Sequence, residues 1–177
     1  MPGYRADKSA EIAEARKLLE QAGFAGGFKT AIKAATGPNM DGAVFVKDQL
    51  AKIGIDASAQ ALEKAIHDRD LAEGRFVANA MRLGAIIDDP DQIFSENYVT
   101  GGGRNYSGFS DPKIDELYAK QSRTLDVAER KKLVIEMQKL AMEANAKMVV
   151  FWTRERTAIY PKVKNLELVP SLYTNHK

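Results

Sequence analysis

Apolar and polar positions along this chain alternate between two rhythms, one near the helical repeat and one near the two-residue repeat of a strand. Ile12, Ala15, Leu18, Leu19 and Ala22 share one side of a helix predicted from Asp7 to Ala22, and Gly23 supplies a left-handed stop. Phe28 to Ala35 reads as a strand. A second helix, from Asp41 to Ile53, is expected to turn Val44, Phe45 and Ile53 toward a core, with Gly54 directly after it and a strand from Ile55 to Leu62. The two stretches Leu-Leu-Glu-Gln-Ala-Gly-Phe and Gln-Leu-Ala-Lys-Ile-Gly-Ile are each a helix closed by glycine before an extended segment. This is recurrent αβ architecture rather than a solenoid repeat.

Further along, a short helix from Ile66 to Ala72 stops at Gly74, and Phe76 to Leu83 alternates as a strand that runs into a polar loop. Ser110, ahead of Asp111 and Pro112, is the expected N-cap of a helix that turns Ile114, Leu117 and Tyr118 inward. Asp126 with Glu129 three residues later opens the next helix, whose Leu133, Val134, Met137, Leu140 and Ala141 form an apolar stripe. Met148 to Trp152 reads as a buried strand, with Trp152 in the core. Beyond Thr153 the chain is charged and extended, and Pro161 and Pro170 restrict it to edges and connections.

Composition narrows the function classes. In 177 residues the chain carries 45% hydrophobic residues, enough for one good core, and a net charge of +2 with both signs interspersed. The densest basic run, Arg130-Lys131-Lys132, follows Glu129, so no nucleic-acid surface is implied. Cysteine is absent, which removes thiol chemistry, disulfides and Cys-based zinc sites. No apolar run approaches the roughly 20 residues of a membrane span. His67 and His176, far apart in sequence, lie in no recognisable nucleophile motif.

Candidate chemistry concentrates between Leu83 and Leu117, where a hydrophobic strand delivers a loop rich in Asp, Gly and Asn. Asp88, Asp89 and Asp91 could ligate a hard cation or act as acid and base, but Pro90 between them favours turn and capping roles, and the spacing of an EF-hand is missing. Gly101-Gly102-Gly103 is followed by Arg104-Asn105-Tyr106 rather than the Lys-Ser of a phosphate loop. Arg104, Asn105 and Tyr106 read either as ordinary loop residues or as polar and aromatic ligand contacts.

These features, in this order, resemble the C-terminal half of the large solute-binding proteins of peptide, nickel and dipeptide ABC importers, extracellular solute-binding protein family 5. The resemblance is carried by Leu18-Leu19 with Ala22-Gly23-Phe24 and Gly27-Phe28, and by Gln49-Leu50 with Ile53-Gly54-Ile55. Asp89-Pro90-Asp91, the run Asn105 to Pro112, and Ala158-Ile159-Tyr160 with Val163-Lys164-Asn165 extend it along nearly the whole chain. It implies an α/β chain forming one lobe of a periplasmic-binding-protein type II fold, a mixed sheet flanked by helices, with residues 1–177 as a single lobe and 153–177 leading back toward the other. It also implies a two-lobed receptor that closes on a small solute and presents it to a membrane permease without catalysis or cofactor.

The partners so implied are a small-molecule solute, a missing N-terminal lobe and an ABC permease, and the implied location is the periplasm. Neither a signal peptide nor a first lobe precedes Met1, so the expectation is an excised or truncated lobe with half a pocket. Peptide-binding members often carry Gly-Trp followed by an Asp that anchors the ligand amine; Leu83 and Ile86 align there, so a free peptide is not the assured solute. The expected contacts are Leu83, Ile86, Ile87, Asp88, Arg104, Asn105 and Tyr106, with Ile86 and Ile87 as the apolar floor. Two other classes compete: a self-associating interaction module, and a small metal-assisted hydrolase using Asp88, Asp89 or Asp91.

Overall fold

A computed structural model describes residues 7–84, 87, 89–151 and 158–165. The chain divides into two compact units, Met1–Arg82 and Leu83–Lys177.

The first unit is built from α1 (Ser9–Gln21), β1 (Lys29–Ala35), α2 (Pro38–Ala51), β2 (Asp56–Leu62), α3 (Lys64–Ala72) and β3 (Ala78–Ala80). The strands form a sheet in the order β2-β1-β3, parallel at both pairings where a mixed sheet was expected. β1 lies centrally, with Ile32 opposite Ala59 on one side and Ala78 on the other. Its core joins Ile32 and Ala34 to Ala43 of α2 and Ala57 of β2. Small side chains at these positions let the helix lie close to the sheet.

That closeness decides which face of α2 is buried. Ala43 is fully buried, and Met40, Val46 and Leu50 pack beside it, one to two turns apart. Val44 and Phe45, expected inside, are 40% and 49% exposed, and Ile53 lies past the helix end, half-buried. The apolar run 43–46 wraps most of the helix, so spacing alone did not distinguish the sheet-facing residues.

Glycine positions two of the turns. Gly27 has φ +72°, and a Cβ there would stand 1.8 Å from the Gly54 carbonyl oxygen. Gly54, at φ +93°, ends the α2 segment as expected. The strand predicted over Phe76–Leu83 pairs only at Ala78–Ala80, and the Arg82 N–H beyond it donates to Asn39 Oδ1 at 3.2 Å instead of to a strand.

The second unit contains α4 (Pro90–Asn97), α5 (Pro112–Gln121) and α6 (Val127–Glu143). Phe94, Leu117, Leu133 and Met137 form its apolar cluster, with Tyr98, Tyr118, Val134 and Leu140 packed around it. Ile114 is also fully buried, so the predicted inward faces of α5 and α6 agree with the structure. Asp126 caps α6 by accepting from the Glu129 N–H at 2.7 Å. The cap of α5 is Asp111, which accepts from the Lys113 N–H at 2.8 Å, and not Ser110. Pro112 occupies the first helical position, which leaves the residue just before it to cap, while the Ser110 hydroxyl lies 3.0 Å from that of Thr100.

The expected buried strand at Met148–Trp152 is not formed over its described part. Met148 to Phe151 adopt no regular structure and are 37–76% exposed, and Trp152 lies outside the described residues. A strand needs a neighbour to take its backbone hydrogen bonds, and all three described strands belong to the first unit.

Candidate functional site

The two polar loops singled out in the sequence both belong to the second unit, one entering α4 and one linking α4 to α5. Asp89 sits at the N-cap of α4, its Oδ1 accepting from the Asp91 N–H at 2.8 Å. Arg130, from the second turn of α6, grips the same carboxylate with two parallel bonds, Nη1 to Oδ2 at 2.8 Å and Nη2 to Oδ1 at 2.6 Å. The Arg130 guanidinium and, secondarily, the Asp91 N–H hold the Asp89 carboxyl below the usual carboxylate range. Arg130 Nε donates to Oε1 of the buried Gln121 at 2.9 Å.

Asp91 completes the network. Its Oδ1 accepts from Gln121 Nε2 at 2.6 Å and Ser122 Oγ at 2.9 Å, and its Oδ2 from the Tyr118 hydroxyl at 3.3 Å. Both carboxylates are therefore engaged in tying α4 to α5 and α6, the capping and loop role that Pro90 suggested. Among the described residues no group of three or more His, Asp and Glu could hold a metal ion. A groove of about 640 Å³ lies over this network, bordered by the exposed side chains of Ile87, Leu125 and Val127.

The glycine-rich loop is knitted from within. Asn105 donates through Nδ2 to the carbonyls of Val99 at 3.1 Å and Phe109 at 2.7 Å, and its Oδ1 accepts from the Phe109 N–H and the Ser107 hydroxyl. That uses the donors and acceptors of the amide, so Asn105 is the staple of the loop. Asp115 holds the start of the loop by accepting from the Thr100 N–H at 2.9 Å and its hydroxyl at 2.6 Å. Gly102 packs so tightly on the end of α4 that a Cβ would lie 2.5 Å from the Ser95 carbonyl oxygen and 2.7 Å from that of Glu96.

Arg104 is fixed at its backbone and open at its side chain. Its N–H donates to the Glu96 carbonyl at 2.8 Å, and its carbonyl accepts from Lys147 Nζ at 3.1 Å. Burial lowers the pKa of Lys147, whose ammonium also lies 5.9 Å from the centre of the Tyr98 ring. The Arg104 guanidinium is 3.4 Å from Glu96 Oε2 and the side chain is 44% exposed. Tyr106 is half-buried, while Leu83 and Ile87 are exposed. The Ile87 N–H donates to Gln92 Oε1 at 2.9 Å. Ile86 and Asp88 lie outside the described residues.

Sequence reasoning missed Arg130, Gln121, Gln92 and Glu96. A lone arginine inside a basic run gives no sign that it pairs with an aspartate 41 residues earlier. The spacing of Gln92 and Glu96 on one helix face was the available signal.

In the first unit His67 is buried, its Nε2 lying 2.8 Å from Asn79 Nδ2, a partner consistent with a structural histidine. No helix among the described residues is long and apolar enough to cross a membrane.

The fold matches that of known binding proteins. The ABC transporter-associated periplasmic binding protein DppA of Helicobacter pylori, solved with the peptide STSA, superposes with a TM-score of 0.70 at 26% identity, over 82% of this chain and 30% of that one. The binding protein AgaA of A. tumefacien R10, solved with agropinic acid, gives a TM-score of 0.67 at 25% identity, over 82% and 31%. NikA of Staphylococcus aureus, solved with Ni(L-His)2, shares the fold at a TM-score of 0.68 and 21% identity, over 76% and 30%. The chain thus spans about three-tenths of the length of these proteins. No curated protein matches it. Residues 1–105, more than half of the chain, match the model for the middle region of the bacterial extracellular solute-binding proteins, family 5, and the chain belongs to that family.

Proposed function

We propose that this chain is part of the solute-binding protein of an ABC importer, supplying one wall of a pocket that captures a small solute between two lobes and delivers it to a membrane permease. No bond is made or broken in that role. The observation that carries the reading is the family match over residues 1–105, which ends inside the glycine-rich loop and so takes in the Asp-rich loop and Arg104. The engagement of Asp89 and Asp91 in structural bonds supports binding over metal-assisted hydrolysis.

In this proposal residues 1–177 belong to one lobe, residues 153–177 lead toward the other, and the protein works in the periplasm. The solute meets Leu83, Ile86, Ile87 and Asp88 on the Asp-rich loop, and Arg104 and Tyr106 on the glycine-rich loop, with Asn105 holding the latter in shape. The relatives solved with a peptide and with agropinic acid support a solute that is polar and small, of peptide or opine type.

Calorimetric titration of a dipeptide, a tripeptide, an opine and a Ni–histidine complex tests the proposal, using this chain and a protein that joins it to a complementary lobe. Binding only by the two-lobed protein is the expected result, because half a pocket buries too little of a ligand to repay its lost freedom. Tight binding by the 177-residue chain alone overturns the half-pocket, and no binding by either overturns solute capture by this set of ligands. A second reading, self-association, is favoured by the exposed apolar run Met148 to Phe151. A sedimentation coefficient independent of concentration removes it.

A further inference from the structure

Two loops that are separate in sequence are joined by side chains of a single helix. Gln92 and Glu96, four residues apart on α4, face the same way, and Gln92 Nε2 donates to Glu96 Oε1 at 2.9 Å. At one end Gln92 Oε1 accepts the Ile87 N–H at 2.9 Å. At the other, Glu96 Oε2 lies 3.4 Å from Arg104 Nη1, within ion-pair range but without a hydrogen bond of its own. The sequence allows this approach because Gly102 has no Cβ to strike the Ser95 and Glu96 carbonyls. The backbone of Arg104 is held on both sides, by Glu96 and by Lys147. The Nε and Nη2 edge of its guanidinium meets no partner among the described residues.

We propose that Gln92 and Glu96 are positioning residues of the solute site, forming a rail on α4 that sets the Ile87 backbone and the Arg104 guanidinium at a fixed spacing. The inference rests on the solute-binding reading and deepens it, because the rail selects a solute class: an apolar part for Ile87 joined to a carboxylate for the open edge of Arg104. An arginine fork recognises a carboxylate best when its orientation is set beforehand. Glu96 orients the fork from the Nη1 side and leaves the other edge to the ligand.

The rail is tested without a solute, by amide hydrogen exchange on the 177-residue chain with Tyr98, whose N–H bonds to Phe94, reporting the integrity of α4. Gln92→Leu and Glu96→Ala are expected to speed exchange at Ile87 about fivefold, the factor for one ordinary hydrogen bond. Glu96→Gln keeps an acceptor for Gln92, so Ile87 stays protected while the Arg104 Nε–H signal shifts as its ion pair is lost. Unchanged exchange at Ile87 in Glu96→Ala, or equal acceleration in Glu96→Ala and Glu96→Gln, overturns the rail. These outcomes do not depend on solute capture, so failure here is distinct from failure of the proposed function.

The solute class is tested in the protein that joins this chain to a complementary lobe, with N-acetyl-leucine and N-acetyl-leucinamide, which differ in the anionic group, titrated while the Arg104 and Ile87 signals are followed. The acid is expected to bind at least about tenfold more tightly, the scale of one charge-assisted contact. Equal shifts with the two probes, or none with either, overturn the carboxylate class.

Discussion

Replacing Arg130 with methionine tests whether the Asp-rich loop is anchored to α6 by the geometry described. The substitution removes two bonds to Asp89 and one to Gln121, while the methionine keeps much of the apolar stem. The Arg130 and Asp89 side chains are 29% and 33% exposed, so water replaces the guanidinium at the carboxylate and the loss there is about 1 kcal/mol. Gln121 is 1% exposed, and its Oε1 loses a donor that water cannot readily replace, a cost of about 1–2 kcal/mol. The expected destabilisation is about 2–3 kcal/mol, or roughly 5–10 °C in Tm for a chain of this size.

Urea unfolding at pH 7, followed by circular dichroism at 222 nm, measures the loss. A cycle with Asp89→Asn isolates the pair, with a coupling of about 1 kcal/mol expected. Arg104→Met is the matched control, because that arginine is more exposed and its ion pair is longer; a change below about 0.5 kcal/mol is expected. If Arg130→Met costs no more than the control, or if the cycle is additive, the Asp89–Arg130 clamp is not what holds α4 to α6.

Other expectations follow from the same geometry. The Asp89 carboxyl has its pKa lowered in the fold, so its contribution is present at neutral pH and is lost as pH falls below about 4 and through the folded value. Acid unfolding curves of Asp89→Asn should lack that share of the slope, and an unchanged acid limb would refute the assignment. Met137→Ala, at a fully buried position among Phe94, Leu117 and Leu133, is expected to cost about 2–4 kcal/mol in urea titration; a loss under about 1 kcal/mol would mean that the cluster collapses to fill the space. Gly27→Ala combines a positive φ with a Cβ 1.8 Å from the Gly54 carbonyl oxygen, and should expose β1 and β2 amides to fast exchange while sparing α5 and α6. Exchange unchanged in both strands would show that the turn yields without cost.

Elements whose signals are local are legible in the residues alone. Helix α1 has both boundaries within two residues of expectation, α5 and α6 start within two residues of theirs, the glycines at 23, 54 and 74 all have positive φ, and Asp126 caps α6 as its spacing required. The inward stripe of α6 was also legible, because Leu133, Met137 and Ala141 repeat at the helical period.

The remaining features depend on what each segment meets once the chain has folded. Val44 and Phe45 stay outside because Ala43 fits against the sheet, a choice made by the small residues of β1 and β2 and not by α2. Met148 to Phe151 has the composition of a strand, yet it adopts no regular structure, and the strands among the described residues all lie in the first unit. Asn105, which looked like a ligand contact, holds its own loop because Val99 and Phe109 come within reach of its amide. The pairing of Asp89 with Arg130, and the linkage of Ile87 to Arg104 through α4, join residues distant in sequence. Periodicity reports which side of an element is apolar; the partner of a polar group is fixed only when the chain folds, because hydrogen bonds have a reach of about 3 Å and no sequence signature at long range.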